Sequence, residues 1–135
     1  MAYELDLFTI PGALAAADLS AKQFYCVKKN TTDGQYALCT VDGEPVAGVL
    51  QNKPSAAGAA AEVRAAGVTK VLAVETLTAG DFWGTDSAGK AKVVEATVTG
   101  ADVGDYVCGH VIEGCAAGEY ATVTIGLQTF RVEAQ

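Results

Sequence analysis

Short apolar and alternating runs, cut by turn signals at short and even spacing, cover most of this chain, the pattern of an all-β sandwich or small barrel. Residues 24–28 read as a strand. Asn30, Thr31, Thr32, Asp33 and Gly34 form a turn before the returning strand 35–41, which Asp42 and Gly43 close. Residues 45–50 follow, with Pro45 at a first position, where its missing donor costs little. The same syntax returns in strand 82–85, turn 86–89, strand 90–99, turn 100–105 and strand 106–112. Residues 55–66 are rich in Ala, which favours helix. Their counterpart, 119–125, alternates and is β-branched, so 59–65 is expected to be a strand and 53–58 a loop, with a short helix at 55–60 as the alternative. Gly67 and Gly126 then mark bends into strands 68–74 and 127–133.

That syntax comes from a duplication. The run from Leu19 to Tyr25 returns 58 residues on, from Leu77 to Trp83. Val46, Gly48 and Leu50 are answered by Val107, Gly109 and Val111 at an offset of 61, and Ala61 and Val63 by Ala121 and Val123 at 60. Two halves, about 16–74 and 75–134, are expected to share one set of strands. Leu19 should overlie Leu77, Phe24 should overlie Phe82, and Val63 should overlie Val123. What repeats is Gly, Ala, Val and aromatic positions, which is scaffold. In this alignment Phe24 and Phe82 point inward, and Tyr25 and Trp83 are free to act as interface anchors.

Residues 1–18 lie outside this repeat and read as an N-terminal arm and linker ahead of one β domain, 19–135. Tyr3, Leu5 and Leu7 alternate with Glu4 and Asp6, and Phe8 and Ile10 extend the apolar face up to the Pro11–Gly12 break. Such a segment can bind another protein's sheet; the same pattern also fits an edge strand on the chain's own sheet.

Composition narrows the function. With 135 residues, half of them hydrophobic, the chain can bury one core. No apolar run approaches a membrane span, and the acidic, alternating N-terminus is unlike a signal peptide. The net charge is −7 and the nine cations are scattered, which argues against nucleic-acid binding. Cys26, Cys39, Cys108 and Cys115 lack metal spacing and are expected to be buried and reduced, although Cys26 and Cys39 could face each other across a hairpin. His110, the single histidine, stands where the other half has Val49, a position that suits structure better than general-base chemistry. Asp102, Asp105 and Glu44 have no calcium-loop spacing, and no phosphate loop is present. The residues supply no catalytic set, no metal site and no cofactor site.

The runs GDFWGTDSAGKA at 80–91 and VGDYVCGHVIEGCAAGEYATVTI at 103–125, with the return through Val68, Thr69, Lys70 and Val71, resemble the head decoration, or capsid cement, proteins of tailed phages. The resemblance implies a non-enzymatic virion protein that binds the major capsid protein on the capsid exterior, self-associates, for instance as a trimer, and stabilises the shell after assembly in the host cytoplasm. The rival class is a duplicated β-barrel carrier or ligand-binding module. A lipoyl-type carrier would present a lysine at a hairpin tip, whereas Lys90 follows its turn; a sugar binder would need more than the 7% aromatic residues present.

Overall fold

A computed structural model of the chain describes residues 8–95, 105–126 and 130–131. Its strands in chain order are β1 (Phe8–Thr9), β2 (Leu14–Ala15), β3 (Cys26–Lys29), β4 (Gln35–Leu38), β5 (Gly48–Leu50) and β6 (Val63–Leu72). They continue as β7 (Phe82–Thr85), β8 (Ala91–Val93), β9 (Tyr106–Val107), β10 (Gly109–Glu113), β11 (Tyr120–Ile125) and β12 (Phe130–Arg131). One mixed sheet runs β2-β4-β3-β5-β6-β11-β10-β7-β8, with β1 beside β6, and β12 pairs with β9 separately. The protein is all-β as expected, and of the two forms the spacing allowed, sandwich or small barrel, the sheet does not close into a barrel among the described residues.

The sheet order contains one motif twice. β4-β3-β5-β6 is matched by β8-β7-β10-β11, and β6 pairs with β11 between them. Registers agree as well as order. Leu50 opposite Val63 is matched by Val111 opposite Val123. The pairs Cys26–Val49 and Val27–Gly48 are matched by Phe82–His110 and Trp83–Gly109, and Lys29–Tyr36 by Thr85–Ala91.

These registers correct the alignment of the aromatics. Val27, not Tyr25, is the counterpart of Trp83, and Cys26 is the counterpart of Phe82. The Phe24 N–H donates to Leu50 O and the Gly80 N–H to Val111 O, so Phe24 overlies Gly80 rather than Phe82. Both have positive φ, 65° at Phe24 and 95° at Gly80, a conformation glycine adopts freely and phenylalanine does not. The first half carries two more residues than the second between Leu19 and this point, and a match by residue type alone slides across them.

The N-terminal segment also changes place. The Ala15 N–H donates to Ala59 O and Ala16 N–H to Tyr36 O, just as Ala73 N–H donates to Glu119 O and Val74 N–H to Ala91 O. Residues 13–16 therefore correspond to 71–74 and belong to the first half; they are not a linker. The strands expected at 59–65 and 68–74 are one ten-residue strand, β6, with Gly67 inside it at φ 109°. Its first residues end the first half and its last begin the second. No helix forms at 55–60, where the chain turns. β8 is shorter than the strand expected at 90–99, whose end lies outside the described residues, as does most of 100–105 and 127–133.

Each half encloses its own core. Ala13, Ala15, Leu19, Val27, Tyr36, Leu50, Ala61 and Val63 form one cluster. Position for position, Val71, Ala73, Leu77, Trp83, Ala91, Val111, Ala121 and Val123 belong to the other, which also takes in Cys108, Ile125 and, from the first half, Cys26, Cys39 and Val49. Gly48 and Gly109 are also equivalent, and a Cβ on either would collide with the carbonyl of the adjacent strand, at Arg64 and Thr124 respectively.

Candidate functional site

Among the described residues, the buried thiols and Lys92 are engaged in structure. Cys26, Cys39 and Cys108 are buried, and all four cysteines are free. Burial pushes the Cys39 thiol up to about 12 and the Cys26 and Cys108 thiols upward as well, so they stay protonated and unreactive. Cys39 donates its backbone N–H to Cys26 O, which places the two thiols' backbones side by side across the first hairpin. Burial opposes the charge on Lys92, but hydrogen bonds to Asp105 (2.5 Å) and Asp42 (2.7 Å) outweigh it and raise its pKa. This cluster bolts the first-half loop at Asp42 to the second half, where Gly43 also bonds Thr85 O and accepts from the Tyr106 N–H. Asp105, weighed above as a calcium ligand, is thus a structural anion. Glu44 binds Lys28 and the backbone N–H groups of Thr40 and Val41, and Asp102 lies outside the described residues. Among the described residues no group of three His, Cys, Asp or Glu could hold a metal ion, and no helix is long and apolar enough to cross a membrane.

What stands out instead is a face. In the first half, Cys26 and Val49 point away from their own core and are 0% exposed, because together with Cys39 they join the core cluster of the second half. The Cys26 N–H donates to Gly89 O at the tip of the β7–β8 hairpin, 2.7 Å away, and that tip packs against Leu38. In the second half the equivalent positions, Phe82 and His110, are exposed. The row continues through Thr124, whose Oγ1 lies 3.0 Å from the His110 backbone N–H and 3.3 Å from its Nδ1, to Val68 opposite Thr124. Ile112 and Tyr120 add exposed apolar surface on β10 and β11, the strands that carry His110 and Thr124. The tip equivalent to Gly89 in the first half is Gly34, and a Cβ there would meet nothing. One face and one hairpin tip, joined within the chain, therefore recur at its two ends, where both are exposed among the described residues.

The expected interface residues are distributed differently from the sequence reading. Trp83 is 0% exposed and its Nε1–H donates to Thr124 O at 2.8 Å, so it anchors the core and offers no surface to a partner. Phe82, expected inside, is 41% exposed. The alternation of β7 was read correctly and its phase was inverted. Tyr25 is half-buried, with the Lys22 ammonium 4.8 Å from its ring centre. Of the arm residues, Phe8 and Ile10 lie along β6, with Phe8 opposite Ala66 and the Ile10 N–H bonded to Val63 O. Tyr3, Leu5 and Leu7 lie outside the described residues. The signal in the sequence is His110, a polar residue at a position that the duplication makes apolar, which marks an exposed face rather than the structural role expected of it.

No family model matches the chain, and no curated protein sequence matches it. Among solved structures it is similar to the N base of the head fiber gp8.5 of bacteriophage phi29, with a TM-score of 0.63 and 17% identity over 95% of this chain and 99% of that one.

Proposed function

We propose that the protein is a non-enzymatic structural component of a phage virion, bound to the major capsid protein on the capsid exterior and stabilising the shell. The observation that carries this reading is the fold shared, over nearly the full length of both chains, with the base of a phage head fiber. Buried thiols, a fully paired Lys92 and an unassisted histidine are consistent with a role in assembly rather than turnover.

Self-association is part of the proposal. The Phe82–His110 face of one copy receives the Gly34 hairpin of the next, as Cys26 and Val49 receive the Gly89 hairpin within each chain. A head-to-tail contact of this kind closes into a ring when its rotation divides the circle, and a trimer is the ring we favour, first and second halves alternating around it. Phe8 and Ile10 supply strand edge and apolar side chains for the capsid, the preceding Tyr3, Leu5 and Leu7 add apolar side chains, and Tyr25 stands at the rim. Many copies acting together turn a modest contact into lasting attachment.

The test is co-sedimentation of the full chain with DNA-filled heads of the cognate phage lacking it, alongside a chain without residues 1–7. The full chain should pellet with heads and saturate, and the shortened chain should stay folded and remain in the supernatant. Failure of the full chain to bind such heads contradicts the capsid role.

A further inference from the structure

Three positions at which the first half departs from the repeat converge on one cleft at the seam between the halves. The cleft, of about 380 Å³, is lined by Phe24, Gln51, Arg64, Val68, Thr69, Lys70 and Thr122. In the second half the counterparts of Phe24 and Arg64 are Gly80 and Thr124, and Gln51 is answered by a bulge that sets Glu113 opposite Thr122, so the scaffold does not require the residues found here. Phe24 is the one non-glycine residue with positive φ among the described residues. Where the repeat offers a glycine, the first half accepts backbone strain to set an aromatic ring in this wall, edge to face with Tyr120 at 5.5 Å.

The cleft's charge is opposite to that of the chain. The protein carries −7, yet the lining holds two cations and no carboxylate. Neither Arg64 nor Lys70 forms an ion pair among the described residues. Arg64 spends Nη1 on Val68 O at 3.1 Å. Its Nε is buried and has no partner, which leaves the Nε edge of the guanidinium unsatisfied. Gln51 is held at the base, its Nε2 donating to Thr69 Oγ1 (2.8 Å) and Val49 O (3.0 Å), which fixes the floor of the cleft.

We infer that this seam cleft is a receptor for a carboxylate group, with the free guanidinium edge of Arg64 and the Lys70 ammonium as its charged contacts and Phe24 and Val68 as apolar walls. A planar, singly charged group on a carbon stem matches one guanidinium edge, one mobile ammonium and two apolar walls. A phosphate dianion would call for donors on more sides than this lining provides. The carboxylate comes either from an acidic side chain of a polypeptide or from a free small anion. The inference is independent of the capsid role, and loss of head binding would leave it standing.

The test is an amide-resolved NMR titration of the full chain at constant ionic strength, using sodium acetate, the blocked peptide acetyl-glycyl-glutamyl-glycinamide, and inorganic phosphate. Saturable shifts at Thr69, Lys70 and Thr122 are expected with a carboxylate probe. Arg64→Gln should weaken binding about tenfold, and Lys70→Gln, at an exposed site that the fold does not need, should weaken it by a smaller factor. Tighter binding of the peptide than of acetate assigns the carboxylate to a polypeptide; equal binding assigns it to a free anion. Shifts that do not saturate, tighter binding of phosphate than of either carboxylate, or shifts unchanged in Lys70→Gln and in a folded Arg64→Gln would overturn the inference.

Discussion

Cys26 and Val49 in the first half and Phe82 and His110 in the second stand at the same register positions, yet the first pair is sealed inside the molecule and the second faces solvent. Beneath them the eight inward positions of each half agree one for one. The duplication was therefore kept where it builds a core and released where it builds a surface. The first half uses small apolar residues because the second half presses against it. In the second half an aromatic ring and an imidazole occupy the same positions and are exposed. The divergent residues, more than the shared ones, are where function is written.

The comparison breaks most visibly at Trp83 and Val27. Both are fully buried at equivalent core positions, but the indole is larger and also hydrogen-bonds Thr124. Trp83→Ala should cost about 3–5 kcal/mol and Val27→Ala roughly 2 kcal/mol in chemical denaturation. Equal losses would mean that the two positions are not used alike.

Alkaline pH probes the junction between the halves. The folded-state pKa of Cys39 is raised to about 12 by burial, and that of Lys92 is raised as well. A raised folded pKa gives stability that is complete below the unfolded value and fades as pH climbs toward the folded one. The unfolding free energy should therefore hold to roughly pH 8.5 and fall by about 3 kcal/mol or more by pH 11. A level profile over that range would show that these groups titrate as they do in the unfolded chain.

Gly48→Ala and Gly109→Ala sharpen the equivalence at the next scale down. Each new methyl would strike the carbonyl of the neighbouring strand, and each should cost about 1–3 kcal/mol. A large loss from one and none from the other would contradict a shared register. Phe82→Ala should be the mildest of these changes, within about 1 kcal/mol, because the ring is a surface group. A loss comparable to that of Trp83→Ala would restore the inward placement first read from the sequence.

The duplication itself was legible because Leu19 with Leu77, Gly48 with Gly109 and Val63 with Val123 are scaffold positions that tolerate little change. Its phase was not legible. The stretch from Leu19 to Tyr25 resembles that from Leu77 to Trp83 in residue type, but a two-residue difference in loop length shifts the true partners, and only hydrogen-bond register reveals it. The first strand of the repeat was hidden for another reason. Ala13 and Ala15 serve where Val71 and Ala73 do, and alanine carries little pattern. Lys92 with Asp42 and Asp105 could not be seen, since charges far apart in sequence declare a partnership only after the halves dock. The seam cleft was hidden similarly: Arg64 and Lys70 read as two scattered cations on separate strands until β6 proves continuous and Phe24 and Gln51 close in from the other side.

The most direct test of the central claim, that the exposed face of the second half repeats a docking face the chain already uses internally, is sedimentation velocity of the full chain and of Phe82→Asp over a range of concentrations. The full chain should associate with increasing concentration, and Phe82→Asp should remain a monomer with an unchanged denaturation midpoint. A full chain that stays monomeric throughout, or a Phe82→Asp variant that associates as the full chain does, would contradict it.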